Sequence, residues 1–150
     1  MKKLLAIAVL FSLGCTAKAQ LNPINWSFSS KKIGDKVYEI QMKATIEDNW
    51  HLYSQVQPAD AVAMPTTFTF NPNPLFKLEG KVIESGKLEK FTDKTLGLSA
   101  NQYSHTVIFT QKVKLKANVK TNLTGNVEFQ TCDDKKCLPP KTINYSIAIR

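Results

Sequence analysis

The sequence has no glycine-rich phosphate loop and no G-x-S-x-G turn, so neither nucleotide hydrolysis nor serine-hydrolase chemistry has a foothold in it. Histidine and cysteine are scarce, at 2 and 3 residues, and a zinc cage of four Cys/His ligands would consume nearly all of them. Past the extreme N-terminus there is no run of about 20 apolar residues, so the mature chain is expected to have no transmembrane segment. No convincing amphipathic helix, internal repeat, low-complexity tract or linker stands out. What is there is a chain of 150 residues, 43% hydrophobic and 21% charged. That is enough for one domain with a core and leaves little room for two.

Met1-Lys2-Lys3, the apolar stretch from Leu4 to Leu13 and Ala17-Lys18-Ala19 before Gln20 have the charge, the apolar middle and the small-x-small cleavage site of a secretory signal peptide. Residues 1–19 are therefore expected to be the signal and residues 20–150 an exported domain. Ser12-Leu13-Gly14-Cys15 also resembles a bacterial lipoprotein box, which would place a lipid on Cys15. Ser12 counts against it, because such a box prefers an aliphatic residue there. Cleavage removes Lys2, Lys3 and Lys18 and no acid, taking the net charge from +8 to +5. The remaining lysines are scattered, which reads as a solvated surface and not as a nucleic-acid site. Cleavage also removes Cys15 and leaves Cys132 and Cys137 in an oxidising compartment.

Residues 20–35 read as an irregular lead-in with one edge-strand option. From Tyr38 to Ile46 apolar and polar residues alternate, the mark of a half-buried strand. Glu47-Asp48-Asn49 is a turn before Trp50-His51-Leu52-Tyr53, where His51 and Tyr53 share one face and Trp50 and Leu52 the other. Thr66 to Phe70 and Phe76 to Ile83 are further β-rich runs, the second with a bulge or bend at Gly80. Residues 84–101 are polar and read as a long loop. Alternation returns over 103–115, with His105 as a semi-buried structural residue, and again over 123–129 and 143–149. About seven short strands with this spacing predict an all-β, immunoglobulin-like antiparallel sandwich, with a small barrel as the alternative.

The chemistry is concentrated in Thr131-Cys132-Asp133-Asp134-Lys135-Lys136-Cys137-Leu138-Pro139-Pro140. One strand enters this segment and another leaves it, which puts the cysteines on the tip or the arms of a β-hairpin, near enough to bridge. So small a closed loop contributes roughly 2 kcal/mol in the chain-entropy model, and a bridge at an exposed tip is open to attack by another thiolate. Asp133 and Asp134 disfavour a thiolate while Lys135 and Lys136 favour it. Pro139 and Pro140 stiffen the exit from Cys137. A catalytic disulfide, a structural hairpin clip and a metal site of two thiolates plus a histidine all fit the spacing. Export argues against the metal, because thiols pair there first.

The segment from Cys132 to Pro140 resembles the active-site hairpin of the N-terminal periplasmic domain of the thiol:disulfide interchange protein DsbD, a protein-disulfide reductase family. Asp48-Asn49-Trp50-His51-Leu52-Tyr53-Ser54-Gln55 resembles the stretch that follows the first long strand of those domains. The resemblance covers about residues 25–149. It implies an immunoglobulin-like sandwich with a redox-active hairpin, working without a cofactor in the periplasm or cell envelope of a bacterium. It implies that electrons arrive from the thioredoxin-like domain of a membrane-embedded donor and leave to thioredoxin-fold partners. By the same resemblance Cys137 forms the mixed disulfide and Cys132 resolves it, with His51 and Tyr53 beside the bridge. The family's cap loop carries an Asp and an aromatic near a Gly. Here the matching stretch is Asp93-Lys94-Thr95-Leu96-Gly97, so either Leu96 serves as the lid or the bridge is less shielded, and Asp93 either accepts or relays a proton or is a plain solvated loop carboxylate. Because the sequence ends at Arg150, the donor is expected on a separate chain. The competing expectation is a non-catalytic secreted binding domain whose hairpin disulfide is structural.

Overall fold

A computed structural model describes residues 21–95 and 97–150; the expected signal peptide, Cys15 and Leu96 lie outside the described residues. Nine strands are present among them: β1 (Ile24–Gly34), β2 (Val37–Ile46), β3 (His51–Tyr53), β4 (Thr67–Phe70), β5 (Phe76–Asp93), β6 (Leu98–Leu115), β7 (Thr121–Phe129), β8 (Thr131–Cys132) and β9 (Lys141–Ile149). All pairings are antiparallel. One sheet runs β1-β2-β6-β3-β8 with β5 on the other edge of β6, and the second runs β4-β7-β9.

The period-two pattern chose the faces. Tyr38, Ile40, Met42, Ala44 and Ile46 of β2 are all buried, as are Val107, Phe109, Val113 and Leu115 of β6. They meet Leu123, Val127 and Phe129 of β7 and Tyr145, Ile147 and Ile149 of β9 in one core. Aromatic rings close the gap between the sheets. The Phe68 and Phe109 centroids lie 4.9 Å apart, and Trp26 and Phe129 lie 5.5 Å apart. Gly125 is a close approach: a Cβ there would run into the Thr69 carbonyl and the Tyr145 ring. Tyr145 instead lies across it and donates its hydroxyl to Thr69 O at 2.9 Å, tying β9 to β4 over β7.

Four expectations from the sequence are corrected. The lead-in is not irregular: its edge-strand option holds, as the eleven-residue β1, in which Ile24, Trp26 and Phe28 face inward and everything past Ser30 is exposed. The supposed loop 84–101 is the outer arm of the β5–β6 hairpin, paired from Leu88↔Tyr103 to Asp93↔Leu98. β5 has solvent on most of its length there, so no apolar alternation marks it. The strands therefore number more than seven. His105 is exposed, with φ 65°. It sits in a bulge: between Val107 and Tyr103, β6 has two more residues than the facing stretch of β5 between Gly86 and Leu88. The bulge also marks where β6 changes partner along its other edge, from β2 at Thr45↔Thr106 to β3 at Leu52↔Tyr103. The irregularity expected at Gly80 is present, with φ 73° and a register shift between Glu79 and Ile83.

Burial raises the phenol pKa of Tyr53, Tyr103 and Tyr145 above the ordinary 10.0; for Tyr103 the hydrogen bond to Glu84 adds to it. The folded chain then keeps protons that the unfolded chain releases, so stability is full below about pH 10 and falls as the pH rises beyond it. Chemical denaturation at a series of alkaline pH values is expected to show this decline, and Tyr145→Phe is expected to flatten it.

Candidate functional site

The chain leaves the second sheet at Phe129, crosses to the first and returns at Lys141. The crossing segment is a small hairpin. Asp133 N donates to Lys136 O and Leu138 N to Thr131 O, both at 2.9 Å. Between these bonds Cys132 and Cys137 face each other as a bridge pair. This is the non-hydrogen-bonded kind of cross-strand pair, in which side chains come closest. The Cα atoms are 3.9 Å apart and the sulfurs are bonded. Asp133 closes the turn: its Oδ1 accepts the backbone N–H of Lys135 at 2.8 Å and of Lys136 at 2.7 Å. The Lys135 bond, with the smaller contribution from Lys136 and the two lysine charges, holds this carboxyl below the usual carboxylate range.

The two sulfur positions differ. Cys132 is 4% exposed and packs with Tyr53, Ala100 and Ala63. Cys137 is exposed. Ala63 belongs to the segment 54–66, which periodicity leaves unread. Its anchor is Glu84, whose carboxylate accepts Ser54 Oγ at 2.7 Å, Gln55 N at 2.6 Å and Tyr103 Oη at 2.6 Å. Thr66 Oγ1 fastens the far end to Tyr53 O at 2.6 Å. Pro139 and Pro140 are exposed and, with Leu138, Phe129 and Leu21, line a groove of about 410 Å³ beside the hairpin.

β3 delivers the neighbouring side chains. His51 is the register partner of Cys132, so the two share a face with Tyr53. Trp50 and Leu52 point into the main core. His51 Nδ1 lies 3.1 Å from Ser104 Oγ, and Nε2 lies 3.5 Å from Asp134 Oδ1. Ser104 Oγ in turn donates to Glu89 Oε2 at 3.0 Å. A cleft of about 320 Å³ opens here, lined by His51, Tyr53, Phe91, Gln102, Asp133 and Asp134. Of the expected site residues, the fold brings Cys132, Cys137, His51 and Tyr53 together. Asp93 ends β5 and turns its Oδ1 to Thr95 N at 2.8 Å; it is not among the cleft-lining residues. The stretch 93–97 has no aromatic, but Phe91, 49% exposed, supplies one from β5. Phe91, Ser104 and Glu89 were missed because only the β5–β6 and β6–β3 registers bring them here. Among the described residues no cluster of His, Cys, Asp and Glu could hold a metal, and no helix is long and apolar enough to cross a membrane.

The family model described as thiol:disulfide interchange protein DsbD, N-terminal, matches residues 19–148. No curated protein sequence matches the chain. Among solved structures it is similar to the DsbD N-terminal domain of Neisseria meningitidis in the reduced form, at 16% identity and a TM-score of 0.55 over 84% of this chain and 85% of that one. It is similar to a structure of the complex between the DsbD and PilB N-terminal domains of that organism, at 17% identity and a TM-score of 0.55 over 87% and 88%. It also resembles the N-terminal periplasmic domain of ScsB from Proteus mirabilis, at 16% identity and a TM-score of 0.51 over 84% of this chain and 44% of that one. These likenesses establish the immunoglobulin-like sandwich.

Proposed function

Because this chain belongs to the family of DsbD N-terminal domains, we propose that it performs thiol–disulfide exchange in the bacterial cell envelope, passing reducing equivalents through Cys132 and Cys137 to thioredoxin-fold partners. The observation that carries this reading is the asymmetry of the bridge, one sulfur exposed at a hairpin and the other buried against the sheet. An incoming thiolate reaches Cys137 and is kept from Cys132. That a family relative occurs in a complex with the PilB N-terminal domain supports a protein as the partner. The family's membrane-embedded donor is carried over as the source of electrons, and residues 20–150 as the working domain.

In the reducing direction the Cys137 thiolate attacks a disulfide sulfur of the partner. A mixed disulfide forms, and the partner's first sulfur leaves as a thiolate and takes up a proton. Cys132 then gives up its proton, and its thiolate attacks Cys137 Sγ. The mixed bond breaks, the partner's second sulfur leaves and is protonated, and Cys132–Cys137 is oxidised as the partner gains two electrons. His51, across the strand from Cys132, accepts and returns the Cys132 proton. Tyr53 and the segment 54–66 keep bulk water from the resolving sulfur, and Pro139 and Pro140 fix the direction in which Cys137 is presented.

The burial of Cys132 also favours a second reading, a structural clip in a secreted binding domain. Equilibration against glutathione separates the two. An exchanging pair is expected between about −120 and −270 mV, whereas a clip lies below about −300 mV and stays oxidised.

A further inference from the structure

Two residues outside the cysteine motif converge on the His51 ring. Glu89 of β5 and Ser104 of β6 stand in line with it, with Ser104 Oγ 3.0 Å from the carboxylate and 3.1 Å from His51 Nδ1. A serine hydroxyl has one proton. Glu89 is the pure acceptor of the pair, so the proton goes to Glu89 and the Ser104 lone pair faces Nδ1. The imidazole must then donate from Nδ1, which leaves Nε2 as its basic nitrogen. That nitrogen is on the hairpin side, 3.5 Å from the exposed Asp134 carboxylate, a long contact that becomes an ion pair only once Nε2 has taken up a proton and so favours that uptake.

We propose that Glu89 and Ser104 are positioning residues that hold His51 in the Nδ1–H tautomer, so that Nε2 takes and returns the proton of Cys132 during exchange. The proposal rests on the exchange reading given above. The bulge at Ser104–His105 is the device that makes it work. The left-handed His105 backbone, at φ 65°, sits where β6 passes from β2 to β3, and bulges re-aim side chains. The extra residues let Ser104 reach β5 on one side and β3 on the other. The charged and titratable groups that face the ring are Asp133 and Asp134 from the hairpin, Glu89 through Ser104, Tyr53 on β3 and Cys132 on β8. In the forward step Cys132 Sγ loses its proton to Nε2, and the imidazolium beside it favours the thiolate. The departing partner thiolate takes up a proton, and His51 returns to neutrality.

Two measurements on the purified full chain test this. Long-range nitrogen–proton correlation spectra report the His51 tautomer directly. The wild type is expected to be Nδ1–H, and Ser104→Thr to stay so. Glu89→Leu is expected to flip it, because the freed serine hydroxyl then donates to Nδ1. Release of glutathione from a Cys137 mixed disulfide by Cys132 reports the step itself. Its rate is expected to fall about fivefold at neutral pH in Ser104→Ala and Glu89→Leu, the size of one lost hydrogen bond. Ser104→Thr restores it. An Nε2–H tautomer in the wild type, or wild-type rates in both variants, overturns the proposal and leaves the exchange reading standing. A bridge that no thiol opens overturns the exchange reading, and the relay's role with it.

Discussion

A Cys132→Ala chain, mixed with an oxidised thioredoxin-fold protein, is expected to accumulate as a covalent pair joined through Cys137, while Cys137→Ala accumulates none and its exchange falls to the rate of the uncatalysed reaction. The argument is one of access followed by chemistry. Cys137 is exposed, and Cys132 lies beneath Ala63 against Tyr53 and Ala100. On the proposed exchange the first bond to a partner is therefore expected at Cys137. Its release needs a second thiolate within reach, and Cys132, held 3.9 Å away at the Cα, is that thiolate. Removing it stops the sequence at the mixed disulfide. Non-reducing electrophoresis reads the adduct. If both single variants trapped partner equally, the assignment of attacking and resolving sulfur would be lost.

The largest loss of stability is expected from Phe109→Ala. The Phe109 side chain is fully buried in β6, and its ring lies 4.9 Å from Phe68 of the second sheet and 5.8 Å from Trp26. Truncation removes its transfer energy and leaves a cavity between two sheets that cannot both collapse onto it, a cost of about 3–5 kcal/mol. That is a large share of the roughly 5–15 kcal/mol that holds a domain folded, and a fall in Tm of about 10 °C or more goes with it. Phe91→Ala is the control: Phe91 is 49% exposed on the outer arm of β5, so thermal melts should barely move. A small shift for Phe109→Ala would mean that the ring cluster is not the keystone between the sheets.

β2, the second half of β6, β7 and β9 were legible in the sequence because each has one face in the core and one in water. Hydrophobic period and structural period then coincide. β1 was half legible: Ile24, Trp26 and Phe28 follow the rule, and Ser30, Lys31 and Lys32 run on along an edge where nothing needs burying. The outer arm of β5 and β6 was illegible because backbone pairing, not burial, holds much of it together. The cysteines, His51 and Tyr53 came from a local motif, which a sequence displays in full. Glu89 and Ser104 lie 15 residues apart, and Ser104 meets His51 from 53 residues beyond it. Only the register of three strands and one left-handed histidine puts them there. His105 itself misled the reading, since its place in an alternating run gives no sign of a backbone conformation that breaks the alternation.

The hairpin hangs from the end of the β7–β9 ladder and touches the first sheet through two residues of β8. Nine β7–β9 residue pairs lie below it and share no covalent constraint with the sulfurs. Making and breaking the bond is thereby insulated from the scaffold, as a latch is from its door frame. On the proposed exchange, the two oxidation levels are expected to differ only in the few residues around the catch.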